Sequence, residues 1–125
     1  MTKENVAILL VDDVAVVRSI MKLQLQQMGF ADINEAPDGS IAMNVLQSKR
    51  IDLIISDWNM PVMSGYELLK EVRGSTEFRD IPFIMVTAEA SASRINMALQ
   101  LKVNELILKP FTLEILENKI AQVIQ

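Results

Sequence analysis

Val6-Ala7-Ile8-Leu9-Leu10-Val11, followed at once by Asp12-Asp13, decides how the rest of the chain is read. An apolar run without alternation is the pattern of a strand covered on both faces, as in a parallel sheet with helices on either side. It falls far short of the roughly 18 apolar residues that span a bilayer, so it predicts a buried strand and no membrane anchor. Moving outward, similar runs recur. Leu53 to Ser56, Phe83 to Val86 and Glu105 to Leu108 read as further buried strands, and Asp32 to Glu35 as a weaker one nearer an edge.

Helical patterns fill the intervals. Val16, Val17, Ile20, Met21 and Met28 keep to one stripe, and Gly29 stands where a left-handed residue ends a helix. Ser40 to Gln47, Gly65 to Arg73 with Gly74 behind it, and Ser91 to Leu101 continue the alternation. Leu113 to Ile124 closes it with an apolar face of Leu116, Ile120, Val123 and Ile124. Strand then helix, repeated five times, predicts an α/β fold with a doubly wound parallel sheet. The 125 residues and 14.0 kDa fit one domain, residues 1–125, with no output domain attached.

In open α/β sheets ligands sit outside the carboxyl ends of the strands, a rule framed in part on proteins of the same general architecture. Here each buried strand is followed by a polar residue: Asp12 and Asp13, then Asp57, Thr87 and Lys109. A parallel sheet puts all of them on one rim. Two carboxylates about 4 Å apart repel by about 4 kcal/mol at an effective dielectric near 20, so three of them call for a cation. Magnesium keeps several waters and takes one or two carboxylates, which suits Asp13 and Asp57 directly, Asp12 through water, and the Asn59 carbonyl. Asp57, at the end of the central strand, is the best placed nucleophile toward a phosphoryl group. Lys109 and the Thr87 hydroxyl would hold phosphoryl oxygens, with backbone N–H groups of Trp58, Asn59 and Ala88 as further donors.

Taken singly, these residues have plainer uses. Asp12 and Asp13 suit a helix N-cap, Asp57 a turn before Pro61, Thr87 a strand end and Lys109 a solvated charge. Their joint placement favours a site. The remaining chemistry is restricted: without cysteine there is no thiolate or disulfide, and without histidine no imidazole base and no phosphohistidine of its own. A net charge of −4 disfavours nucleic acid, whose binding relies on Lys and Arg against phosphates, and points to protein partners. Lys3 and Glu4 with no small-residue cleavage site argue against a secretory signal, so a cytoplasmic location is expected.

The assembled set resembles the receiver domains of two-component response regulators, and within them the chemotaxis regulators. The resemblance covers nearly the whole chain. It is carried by Leu10-Val11-Asp12-Asp13, by Ile55-Ser56-Asp57-Trp58-Asn59-Met60-Pro61 with Gly65 and Glu67-Leu68-Leu69-Lys70, by Met85-Val86-Thr87-Ala88-Glu89-Ala90, and by Lys109-Pro110-Phe111-Thr112. It implies the flavodoxin-like strand order 2-1-3-4-5 and a cis Lys109–Pro110 bond. It further implies a phosphoryl group passed from a histidine kinase or phosphotransfer domain to Asp57 and later lost by hydrolysis. Asn59 and Glu89 are then expected to modulate that loss. An output surface would form at helix four, strand five and helix five, with Ala90, Ile95, Leu106 and Lys119 in it. A flagellar motor switch protein and a phosphatase are the implied partners of a monomer.

Three positions depart from the family's habit: Leu106 replaces the usual aromatic residue, Lys102 a common glycine, and Ser64 the aspartate that usually precedes Gly65. Leu106 has neither ring nor hydroxyl to couple Thr87 to the output face, which leaves a phosphorelay intermediate or phosphate sink as the alternative. Other classes fit less well. A phosphohydrolase would want an acid where Asn59 stands, and a flavodoxin-like carrier would repel its phosphate with Asp12 and Asp13.

Overall fold

The computed structural model describes residues 2–124. A short 3-10 turn at Lys3–Asn5 leads into β1 (Ala7–Val11), α1 (Ala15–Gln27), β2 (Asp32–Ala36), α2 (Gly39–Ser48), β3 (Leu53–Asp57) and α3 (Gly65–Gly74). The alternation then continues through β4 (Phe83–Thr87), α4 (Ala92–Gln100), β5 (Glu105–Leu108) and α5 (Leu113–Val123). All four strand pairings are parallel and the order is β2-β1-β3-β4-β5. The expected doubly wound fold and its strand order are therefore both present.

The unbroken apolar character of β1 follows from its central place. Successive side chains of a strand point to opposite faces. Ala7, Leu9 and Val11 join one core with Ala42 and Leu46 of α2, Leu68, Leu69 and Val72 of α3, and Ala98 of α4. Ile8 and Leu10 join the other, with Met21 and Leu25 of α1 and Leu116 and Ile120 of α5. Both faces are thus covered. β2 pairs only with β1 and is mostly half-exposed, as its weaker pattern foretells.

Local signals set the helix ends. Gly29, just beyond α1, takes φ 106°. Asp38, Ser91 and Thr112 cap α2, α4 and α5 by accepting a backbone N–H. Ser64 and Glu67 form a reciprocal capping box at α3, at 3.1 and 2.9 Å, so serine in place of the usual aspartate still ends the loop firmly.

Several expectations need correction. Val16 and Ile20 are 67% and 52% exposed, and the buried face of α1 is Met21, Leu25 and Met28 with Val17 beside it. Positions 21, 25 and 28 follow helical spacing, whereas 16 and 20 lie about a third of a turn round. Gly74 lies inside the end of α3 rather than behind it, and Asp57 and Thr87 close their strands rather than follow them.

Candidate functional site

The parallel register brings the carboxyl ends of β1, β3, β4 and β5 side by side. Asp12, just past β1, is 3% exposed, Asp57 is half-buried and Asp13 is exposed. One carboxylate oxygen from each lies within 4.8 Å of the others. Lys109, just past β5, sits with Nζ 3.3 Å from Asp12 Oδ2 and 3.3 Å from Asp57 Oδ1. Asp12 Oδ1 accepts the Val14 N–H at 2.9 Å, and Val14, not either aspartate, is the cap residue of α1. That bond holds Asp12 in place while its other oxygen faces Lys109.

Burial pushes the Asp57 carboxyl above the ordinary carboxylate range, with the charge of Asp12 acting in the same direction and Lys109 opposing both. Three carboxylates face one ammonium, leaving the cluster two negative charges in excess when all are ionised. Oxygen-only donors and that excess fit a hard divalent cation.

Thr87 is fully buried and its hydroxyl is engaged, donating to the Glu89 carbonyl at 3.0 Å and accepting the Glu89 N–H at 3.1 Å. A third contact was not foreseen. Arg94, in the first turn of α4, donates from Nη1 to Thr87 Oγ1 at 3.2 Å and from Nη2 to Asn59 Oδ1 at 2.9 Å. Its Nε pairs with Glu89 at 3.1 Å, and its guanidinium lies 4.7 Å from the centre of the Trp58 ring. Trp58 stacks on Tyr66 with ring centres 5.7 Å apart. The one sequence signal for Arg94 is that it is the only cation between Arg79 and Lys102, next to a helix start on the rim.

Gly65 is where β3 and α3 meet most closely: a Cβ there would lie 2.0 Å from the Asp57 carbonyl oxygen. Its N–H donates to the Trp58 carbonyl at 2.8 Å, pinning the loop that carries Asn59. The Trp58 N–H, expected as a free donor, is directed at the Val86 carbonyl at 3.0 Å and adds only a small downward pull on Asp57. Strand pairing claims it. Ala88 is exposed and lines a cleft with Lys109, Pro110, Phe111, Ile20 and Val17. The Lys109–Pro110 bond is cis.

The remaining expected residues sit away from this cluster. Ala90 is half-buried in the β4–α4 loop, Ile95 is 38% exposed on α4, and Leu106 is packed against the α2/α3/α4 core. Lys119 of α5 pairs with Glu105 of β5 at 2.9 Å. No helix among the described residues is long and apolar enough to cross a membrane.

A response regulator receiver domain model matches residues 8–121. The chain belongs to the response regulator receiver domain family. Among relatives of this receiver domain, the chemotaxis protein CheY of Pseudomonas aeruginosa is 42% identical over 94% of this chain and 95% of that protein. The chemotaxis protein CheY-3 of Vibrio cholerae is 40% identical over 98% of this chain and 94% of its own length. Among solved structures, the chemotaxis protein CheY4 of Vibrio cholerae superposes with a TM-score of 0.89 at 34% identity, covering 95% of this chain and 98% of that one. A signal receiver domain of a histidine kinase from Syntrophus aciditrophicus gives 0.87 at 29% identity, over 94% and 89% of the two chains. The chain is thus a CheY-like receiver domain, and its aspartate cluster is of the kind at which such domains bind a divalent metal.

Proposed function

We propose that this protein is a receiver that takes a phosphoryl group onto Asp57 from a phosphohistidine and signals through a changed surface. One observation carries the reading: the half-buried Asp57 carboxylate faces Lys109 at 3.3 Å within a cluster of three aspartates. A carboxylate oxygen of Asp57 attacks phosphorus, the P–N bond to the donor imidazole breaks, and the electron pair leaves with that nitrogen. Lys109 neutralises charge on a transferring oxygen, and Thr87 turns its hydroxyl hydrogen from the Glu89 carbonyl to another. Asp12, Asp13, Asp57 and the Asn59 carbonyl would hold magnesium, which when bound supplies charge neutralisation at the phosphoryl oxygens. Asn59 and Glu89 then govern water's access to the product, a slow loss rather than enzymatic turnover.

The relatives named as chemotaxis proteins favour a role in that pathway, with a histidine kinase as donor and a flagellar switch protein as target. Leu106, half-buried against the core with no polar group to answer Thr87, favours instead a relay intermediate or phosphate sink. Acetyl phosphate with magnesium should label the parent and not Asp57→Asn; equal labelling, or labelling unaffected by chelation, would sink the reading. Pull-down of flagellar switch protein by the labelled form separates motor control from the sink.

A further inference from the structure

Arg94 is a long side chain that joins the β3–α3 and β4–α4 loops at Thr87. It arises from α4, reaches the end of β4 through Thr87, the β4–α4 loop through Glu89, and the β3–α3 loop through Asn59 and Trp58. It is a planar fork with fixed donor directions, of which two meet acceptors at Thr87 Oγ1 and Asn59 Oδ1, while Nε lies within ion-pair distance of Glu89. With only 20% of the side chain exposed, the arrangement is more than a surface ion pair.

The atoms it holds are both oxygens. Thr87 Oγ1 and Asn59 Oδ1 are fixed, while the Thr87 hydroxyl hydrogen and the Asn59 amide hydrogens stay free to point elsewhere. Turning Asn59 over would set N–H against N–H, so Arg94 also decides which way that amide faces. When a phosphoryl group enters, a bond to it from Thr87 takes the hydroxyl hydrogen away from the Glu89 carbonyl. The released carbonyl belongs to the loop that leads into α4.

The geometry points to Arg94 as a positioning residue for the phosphorylation site, one that aims the Thr87 hydroxyl and the Asn59 amide and ties occupancy of Asp57 to the first turn of α4. This rests on the receiver reading above. Lysine keeps the charge but offers no fork, so charge alone should not replace it.

The test compares the parent with Arg94→Ala and Arg94→Lys after labelling by acetyl phosphate with magnesium and removal of the donor. Loss of two charge-assisted bonds to the aligning oxygens should speed phosphoryl loss about fivefold in Arg94→Ala, and more than about twofold in Arg94→Lys. Amide hydrogen exchange at residues 92–95 should slow on labelling in the parent and respond less in both variants. Equal phosphoryl lifetimes in parent and Arg94→Ala, or full recovery by lysine, overturn the assignment. A parent that takes no label overturns the receiver reading instead, and that is visible without either variant.

Discussion

Lys109 Nζ stands 3.3 Å from Asp57 Oδ1 and equally far from Asp12 Oδ2, so one ammonium balances two carboxylates that belong to different strands. It occupies the edge of the same cluster that a divalent cation would enter. Its positive charge therefore eases repulsion in the metal-free protein and opposes the arriving ion.

Lys109→Ala should accordingly tighten magnesium while impairing phosphoryl uptake. After screening, the repulsion removed is about 1 kcal/mol, a roughly fivefold fall in the magnesium dissociation constant. Calorimetric titration in low salt reads the first effect and acetyl phosphate labelling the second. Weaker magnesium binding by Lys109→Ala would contradict the electrostatic account.

Asp57→Asn should stabilise the protein in chelator at neutral pH. Burial raises the carboxyl of Asp57 above its unfolded value of 3.8, so its ionised form is a cost to the native state once the pH exceeds the raised value. That cost vanishes in acid, where the group is protonated in both states. Removing it should raise the thermal midpoint. A midpoint that falls would show that the Asp57 charge is better compensated than Lys109 alone allows.

β1, β3 and β4 were legible in the sequence because burial on both faces erases alternation, whereas β5, read as another buried strand, is an edge strand with Leu108 52% exposed. Arg94 was not legible: nothing in helical spacing tells how far a flexible side chain reaches across a loop to Thr87 and Asn59. The exposed face of α1 was misread for a related reason. Val16 and Ile20 are apolar yet exposed, Ile20 beside the Lys109–Pro110 segment, and apolarity alone does not distinguish such positions from core ones. The Trp58 N–H was misassigned because strand pairing continues one residue beyond Asp57.

At the edge of the sheet the sign of the pH effect reverses. The hydrogen bond from Lys49, 2.6 Å away, holds the Asp32 carboxyl below its ordinary value of 3.8, with Asn34 adding to the effect and burial opposing it. The stabilisation is therefore full above the unfolded value and disappears as pH falls through the depressed one. Both side chains are more than a third solvent-accessible or nearly so, which limits the pair to about 0.5 kcal/mol. Lys49→Met should lose that amount in urea denaturation at neutral pH and match the parent in acid, once Asp32 is protonated in both states. A difference that persists in acid would point to packing instead.

Lys102 adopts φ 58°, a conformation that crowds a Cβ against its own backbone and that glycine adopts freely. Its carbonyl receives Arg73 at 3.0 and 3.3 Å, a contact independent of the side chain. Lys102→Gly should therefore keep those bonds and relieve the strain, for a net gain of about 0.5 kcal/mol after the greater freedom of unfolded glycine is counted. Chemical denaturation checks it; a loss of more than about 1 kcal/mol would mean that the lysine side chain contributes packing.

The tightest steric constraint near the site is Gly65, and it predicts a sharp contrast with Gly74 at the other end of the same helix. A Cβ on Gly65 would sit 2.0 Å from the Asp57 carbonyl oxygen and 2.9 Å from its carbon, with Met85 Sδ at 3.0 Å behind. Backbone at the end of a central strand cannot yield as a flexible side chain would, so α3 or the loop carrying Trp58 and Asn59 must move. Gly65→Ala should cost at least about 2 kcal/mol and weaken magnesium binding by displacing Asp57 and the Asn59 carbonyl together. Gly74→Ala meets nothing within 4 Å and lies in the last turn, so it should be neutral or gain about 0.5 kcal/mol from helix propensity. Urea denaturation with and without magnesium measures both effects in the same variants. If Gly65→Ala bound magnesium as the parent does, the approach of α3 to the Asp57 carbonyl would not be what sets the geometry of the cluster.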